Sequence, residues 1–141
     1  MYKEIKEQIR IEIKNLGRLM GEMKQLIKTS EHKKNFIEIR AAGSILHDFY
    51  CGAERIFRRI SLTIDKNPLK GEDWHTELLS QMAKPIEGTR NSVISEDLVQ
   101  KLKEYLRFRH LFIHIYGFEL KWDKIKPLCF DMESLFENLK Q

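Results

Sequence analysis

The chain of 141 residues is 42% apolar and 33% charged, a balance that excludes a disordered chain and supplies enough apolar side chain for the core of one domain. Only 3 Pro and 7 Gly occur, too few for a fold of many turns, so long uninterrupted helices are expected. The net charge of +4 permits a polyanionic partner without requiring one, and no apolar run approaches the roughly 18 residues of a membrane helix.

The N-terminal stretch MYKEIKEQIRIEIK alternates charged with apolar residues and has no signal-peptide core, which points to the cytoplasm. Ile5, Ile9, Leu16, Met20, Met23 and Ile27, with Ile13 and Leu19 between them, step by three, four and seven, the spacing of one helical face. Lys3, Glu7, Arg10 and Lys14 fall on the other side, and Thr29 and Ser30 are expected to stop this helix. A second helix is expected from about Lys33 to Ile64, its face formed by Phe36, Ile39, Leu46, Phe49, Ala53, Ile56, Ile60 and Ile64. About 30 helical residues span roughly 45 Å, long enough to form a scaffold hairpin with the first helix. Ala41, Ala42, Gly43, Gly52 and Ala53 would let another helix approach closely. Asp65-Lys66-Asn67-Pro68 breaks the pattern, and Asp73 is the expected N-cap of a short third helix with Trp74, Leu78, Leu79 and Met82. Pro85 and Gly88 end it. Ser95-Glu96-Asp97 starts a fourth helix carrying Leu98, Leu102, Tyr105, Leu106, Phe112 and Ile113 to about Tyr116, with Gly117 as C-cap. A last helix follows Trp122 with Ile125, Leu128, Met132, Leu135 and Leu139, and Pro127 is expected in its first turn. The predicted fold is all-α: a single up-and-down bundle of about five helices, with residues 1–141 as one domain.

The chemistry concentrates in Tyr105-Leu106-Arg107-Phe108-Arg109-His110-Leu111-Phe112-Ile113-His114-Ile115-Tyr116, which packs two arginines, two histidines and two tyrosines into a helix end. Arginine binds phosphate with a planar, permanently charged fork, and histidine moves protons in either direction near neutral pH. Those are the groups that cleavage of RNA without a metal requires. One activates the 2′-hydroxyl or protonates the leaving 5′-oxygen, and another stabilises the added negative charge at phosphorus.

Arg109, His114 and Tyr116 match the pattern R-x4-H-x-Y, and the chain resembles the HEPN-domain toxins of the HepT-like family. The resemblance extends over nearly the whole chain, through the Asp73-Trp74-His75 helix start, Leu78-Leu79, Met82 and Phe108-Arg109-His110. It implies a homodimeric, metal-independent RNA endonuclease toxin, with two copies of the motif forming one composite cleft and no cofactor. It also implies a nucleotidyltransferase antitoxin partner, MntA-like, that transfers AMP from ATP to the motif tyrosine and silences the nuclease. Carried over to this sequence, Arg109 and His114 are catalytic, and Tyr116 is both part of the site and the modified group. His110 stands in a supporting position that is often Asn in the family, and Ile115 replaces a residue that is often polar there.

On a regular helix Arg109 and Tyr116, seven apart, project about 20° from each other, whereas His114 points about 140° away from Arg109. Either the helix unwinds near His114 or a second copy supplies the missing partner. An AMP on Tyr116 would then set a negative phosphodiester on the Arg109 face.

Other residues admit plainer readings. His110 and His114 share a face and would need Glu119 or Asp123 to complete a metal site, so no metal is expected. His47, Asp48 and Cys51 resemble an activated thiol but read as a buried structural one. Cys51 and Cys129, far apart, exclude a disulfide framework. His75 is expected to bond backbone carbonyls, and Met20, Met23 and Met82 to fill the core. Arg107, Lys121 and Lys124, with Lys101, Lys103 and Lys126, bracket the motif and are expected either to track RNA phosphates or to form a solvated face. The alternative to a nuclease is a non-catalytic HEPN-like helical module that binds a nucleotide or a nucleotidyltransferase.

Overall fold

Amphipathic spacing at 3.6 residues per turn leaves each long segment of this sequence with one apolar stripe, and the stripes are buried against one another. The computed structural model of the chain describes residues 2–28, 34–66, 69, 71 and 73–140. Among them are five α-helices: α1 (Tyr2–Lys28), α2 (Phe36–Arg59), α3 (Trp74–Met82), α4 (Glu96–His114) and α5 (Trp122–Lys140). The fold is all-α, as expected. No described helix is long and apolar enough to cross a membrane.

The expected hairpin of α1 and α2 forms and runs antiparallel. Glu12 on α1 accepts from Arg55 Nε on α2 at 3.1 Å, and Gly52 lies where a Cβ would come within 2.5 Å of Leu16 Cδ2. Lys34, just before α2, donates to the terminal carbonyls of Leu26 at 2.8 Å and Ile27 at 3.0 Å. A buried ammonium thus binds carbonyls of the last turn of α1. Ile5, Leu16, Met20, Met23 and Leu26 are buried in this hairpin. α2 is the hub, touching all four other helices, and Leu46, Phe49, Tyr50, Ala53 and Phe57 form the centre of the core. Phe49 meets Tyr105 of α4 edge-on at 5.6 Å. The Tyr105 hydroxyl in turn donates to the Leu128 carbonyl of α5 at 2.7 Å.

Several boundaries differ from the sequence expectation. α2 begins at Phe36 under a capping box in which Asn35 and Glu38 each bond the other's backbone N–H, at 2.8 and 3.0 Å. Phe36 is therefore in the first turn and 68% exposed rather than in the core. α2 does not stay regular to Ile64; Ile60–Ile64 widen into a π-helical turn closed by Asp65 N to Ile60 O at 3.0 Å. Arg90 clamps that end, its Nε and Nη2 donating to the two Asp65 oxygens at 2.7 and 2.8 Å. Asp73 occupies the N-cap position of α3 without a capping bond, whereas Ser95 caps α4 through Leu98 N at 3.1 Å. Pro127 lies inside α5 rather than in its first turn, so the exposed Asp123 carbonyl goes without a helical N–H. The stop expected at Thr29 and Ser30, the start at Lys33 and the break at Asn67-Pro68 lie outside the described residues.

The change that matters most is at the end of α4. The helix closes at His114, and Ile115 takes extended backbone at φ −123°, ψ 163°. Gly117 is not its C-cap; it opens a 3-10 turn, Gly117–Glu119.

Candidate functional site at the end of α4

The segment His114–Leu120 is pinned to α2 from beneath. A Cβ on Gly43 would lie 2.7 Å from Leu120 Cδ1 and 2.9 Å from Phe112 Cε1, so the missing side chain on α2 makes room for both. Leu120 is 7% exposed, and Phe112 also packs on His47, ring centroids 5.3 Å apart. The end of α4 is held, while the polar groups around it face outward.

Each expected site residue can be placed on this frame. Arg109 is half-buried on α4. Its Nε is buried without a hydrogen-bond partner among the described residues, as is the Tyr50 hydroxyl on α2, and the two side chains are near enough for the guanidinium charge to act on the phenol. Burial raises the Tyr50 pKa, Glu54 adds to the rise, and Arg109 opposes it. Tyr50 is therefore a neutral phenol at any physiological pH. His110 and His114 are exposed on one face of α4, a single turn apart.

Tyr116 does not share a helical face with Arg109. Because α4 ends at His114, the sevenfold spacing no longer sets its direction, and Tyr116 stands on extended backbone, 70% exposed. Arg109 and His114, both within the regular helix, still diverge by about 140°. Unwinding ahead of His114, one of the two ways to bring them together, is absent. Arg107 is exposed and, two residues from Arg109, projects about 160° away from it. Lys121 and Lys124 are exposed at the start of α5.

Three helices meet beside this motif around a pair that the sequence did not reveal. His75 of α3 places Nδ1 2.6 Å from Glu54 Oε2 of α2, with their side chains 16% and 8% exposed. His75 thus bonds a buried carboxylate rather than backbone carbonyls. Its ring stacks on Trp74 at 3.7 Å and meets His110 of α4 edge-on at 5.9 Å. The Arg58 guanidinium lies 4.7 Å above Trp74. A buried carboxylate needs a partner, so Glu54 ties α3 to α2 and sets His75 against His110. The available signal was Glu54 itself, an acid at a position between Ala53 and Ile56 where the helical period puts core.

Two further groups fall into plain roles. The Cys51 sulfur is 3.9 Å from Nδ1 and 3.8 Å from Nε2 of His47. Near-equal distances to both nitrogens mean that no bond is directed at either, and the half-buried thiol has no base aimed at it. Burial pushes the Cys129 thiol up to about 12, against the opposing charge of Lys34. Among the described residues no three His, Cys, Asp or Glu side chains lie close enough to share a metal ion, so Glu119 and Asp123 do not complete the His110–His114 pair.

A family model described as HepT-like protein matches residues 41–141, from the second turn of α2 through α5. No curated protein and no solved structure matches the chain.

Proposed function

Because the chain belongs to the HepT-like family of HEPN-type toxins, we propose that it is a metal-independent RNA endonuclease, the toxin of a toxin–antitoxin pair. It acts as a homodimer whose Arg109 and His114 meet across the interface. The observation that carries this reading is the divergence of those two side chains on a helix that stays regular through His114. One chain does not aim both well at a single phosphate, and a second copy facing it would supply the missing partner.

In the reaction, a base removes the proton from a ribose 2′-hydroxyl, the oxygen attacks the adjacent phosphorus, and the bond to the 5′-oxygen breaks as that oxygen is protonated. The products are a 2′,3′-cyclic phosphate and a free 5′-hydroxyl. At each of the two sites His114 of one copy handles the protons, and Arg109 of the other stabilises the charge on the non-bridging oxygens. His110 supports the site through its contact with the Glu54–His75 pair. The nucleotidyltransferase antitoxin silences the nuclease by moving AMP from ATP to the Tyr116 hydroxyl with release of pyrophosphate. The exposure of Tyr116 supports this role, since a partner enzyme can reach the ring. The added phosphodiester lies two residues past His114 and repels the RNA backbone there.

The test is expression without the antitoxin. Growth arrest with RNA fragmentation, insensitive to EDTA in purified protein, is expected, and Arg109→Ala or His114→Ala abolishes it. Mixing the two inactive variants restores part of the activity, because one of the two sites in a mixed dimer is then complete. Full toxicity of both single variants refutes the nuclease; no recovery on mixing refutes the shared site.

A further inference from the structure

The 3-10 turn after His114 presents two aromatic rings in a way that the cleavage reaction does not use. Tyr116 and Phe118 stack with centroids 5.2 Å apart and planes within 8° of parallel, and they are 70% and 69% exposed. The turn that carries them is fixed. Glu119 N bonds Tyr116 O at 2.9 Å and Leu120 N bonds Gly117 O at 3.2 Å, while buried Leu120 fills the space above Gly43. The pair is a stack of two rings that leaves most of its surface open to solvent.

A cation lies against the same turn. A Cβ on Gly117 would fall 2.9 Å from both Cζ and Nε of Arg40, so the guanidinium rests on the backbone between the two rings. Lys121 and Lys124 follow within six residues, all three cations being exposed. They outnumber the neighbouring carboxylates, Glu119 and Asp123. Rings offered face-on beside such charge fit an unpaired base with its phosphate: the base stacks on the ring and the phosphate meets the guanidinium. Among the described residues no other two exposed rings are stacked in this way.

We propose that Tyr116, Phe118 and Arg40 form a subsite for an unpaired nucleotide of the RNA, which makes single-stranded segments the substrate class. The assignment rests on the ribonuclease reading and adds to it. It also gives modification of Tyr116 a second effect, because an adenylyl group attached there occupies the same ring surface that the substrate base needs.

The test uses the full chain and a single-stranded 2′-O-methyl oligonucleotide, which lacks the attacking hydroxyl and remains uncut. Binding is read by fluorescence anisotropy, with oligomeric mass measured for every variant. Phe118→Leu weakens binding by roughly tenfold, within the range of one lost base–aromatic stack; Phe118→Trp retains it, and Arg40→Gln lessens the dependence on salt. Abasic substitutions scanned one by one along the oligonucleotide weaken binding to the native chain but not to Phe118→Leu. Equal affinity of Phe118→Leu and the native protein overturns the proposal. So does a changed oligomeric mass with unchanged affinity per assembly, which assigns the rings to a protein contact. If the native chain shows the abasic effect yet cuts no RNA, the ribonuclease reading fails and the subsite stands.

Discussion

Replacing Gly43 by Ala tests whether α2 positions the segment that carries His114 and Tyr116. Two effects oppose each other. Alanine in a helix interior gains about 1 kcal/mol over glycine. The new Cβ, however, would sit 2.7 Å from Leu120 Cδ1 and 2.9 Å from Phe112 Cε1. Overpacking of this kind costs about 1–3 kcal/mol, so the net change is a loss of about 0–2 kcal/mol. Gly21→Ala on α1 is the matched control, since nothing lies within 4 Å of its added Cβ and only the gain of about 1 kcal/mol remains. The two variants therefore differ by about 1–3 kcal/mol in denaturant unfolding, or roughly 4–10 °C in melting temperature for a chain of this size. Both are measured at one protein concentration, because association shifts the midpoint. Gly43→Ala is also expected to slow RNA cleavage at temperatures where it remains folded, through displacement of Phe112 and Leu120, while Gly21→Ala is not. Equal stabilities of the two variants would refute the close approach, and a Gly43→Ala enzyme of native activity would refute its role in placing the site.

Two further outcomes follow from groups near the same elements. Tyr50→Phe removes a buried hydroxyl that has no partner among the described residues, so it leaves stability unchanged or raises it by about 1 kcal/mol; a loss of about 2 kcal/mol or more in chemical unfolding would mean that the hydroxyl is bonded after all. At Asp65 burial raises the carboxyl pKa, but the hydrogen bonds from Arg90 and Gln81 and the Arg90 charge outweigh it and hold the value below 3.8. The unfolded chain then binds a proton before the folded one does, so the stabilisation is present above about pH 4 and is lost as pH falls through the folded value. Asp65→Asn should flatten the fall in stability below about pH 4, and an unchanged slope would count against the pairing.

Periodicity was enough to read most of the fold, because core residues recur at the helical spacing whatever they pack against. Leu16, Met20 and Met23 on α1, Leu46, Phe49 and Ala53 on α2, and Met132 and Leu135 on α5 are all buried as that spacing requires. The Ser95 cap was legible for the same local reason: its oxygen bonds an N–H three residues away. The motif residues were legible as residue types, and the family to which they point is the one whose model matches.

What the local pattern could not carry was direction. Ile113 and Ile115 continue an apolar alternation past His114, so nothing short-range distinguished a helix running to Tyr116 from one ending two residues earlier. Packing decided it: Phe112 and Leu120 both settle over Gly43, and with α4 closed at His114 the chain leaves in extended form and turns at Gly117–Glu119. The pairing of Glu54 with His75, 21 residues apart, likewise exists only because α3 folds back on α2. The sequence by itself determined which helices form and which groups of the motif are available. Only the tertiary structure decided where those groups point, because a side chain's direction at a helix end is set by contacts with elements distant in the chain.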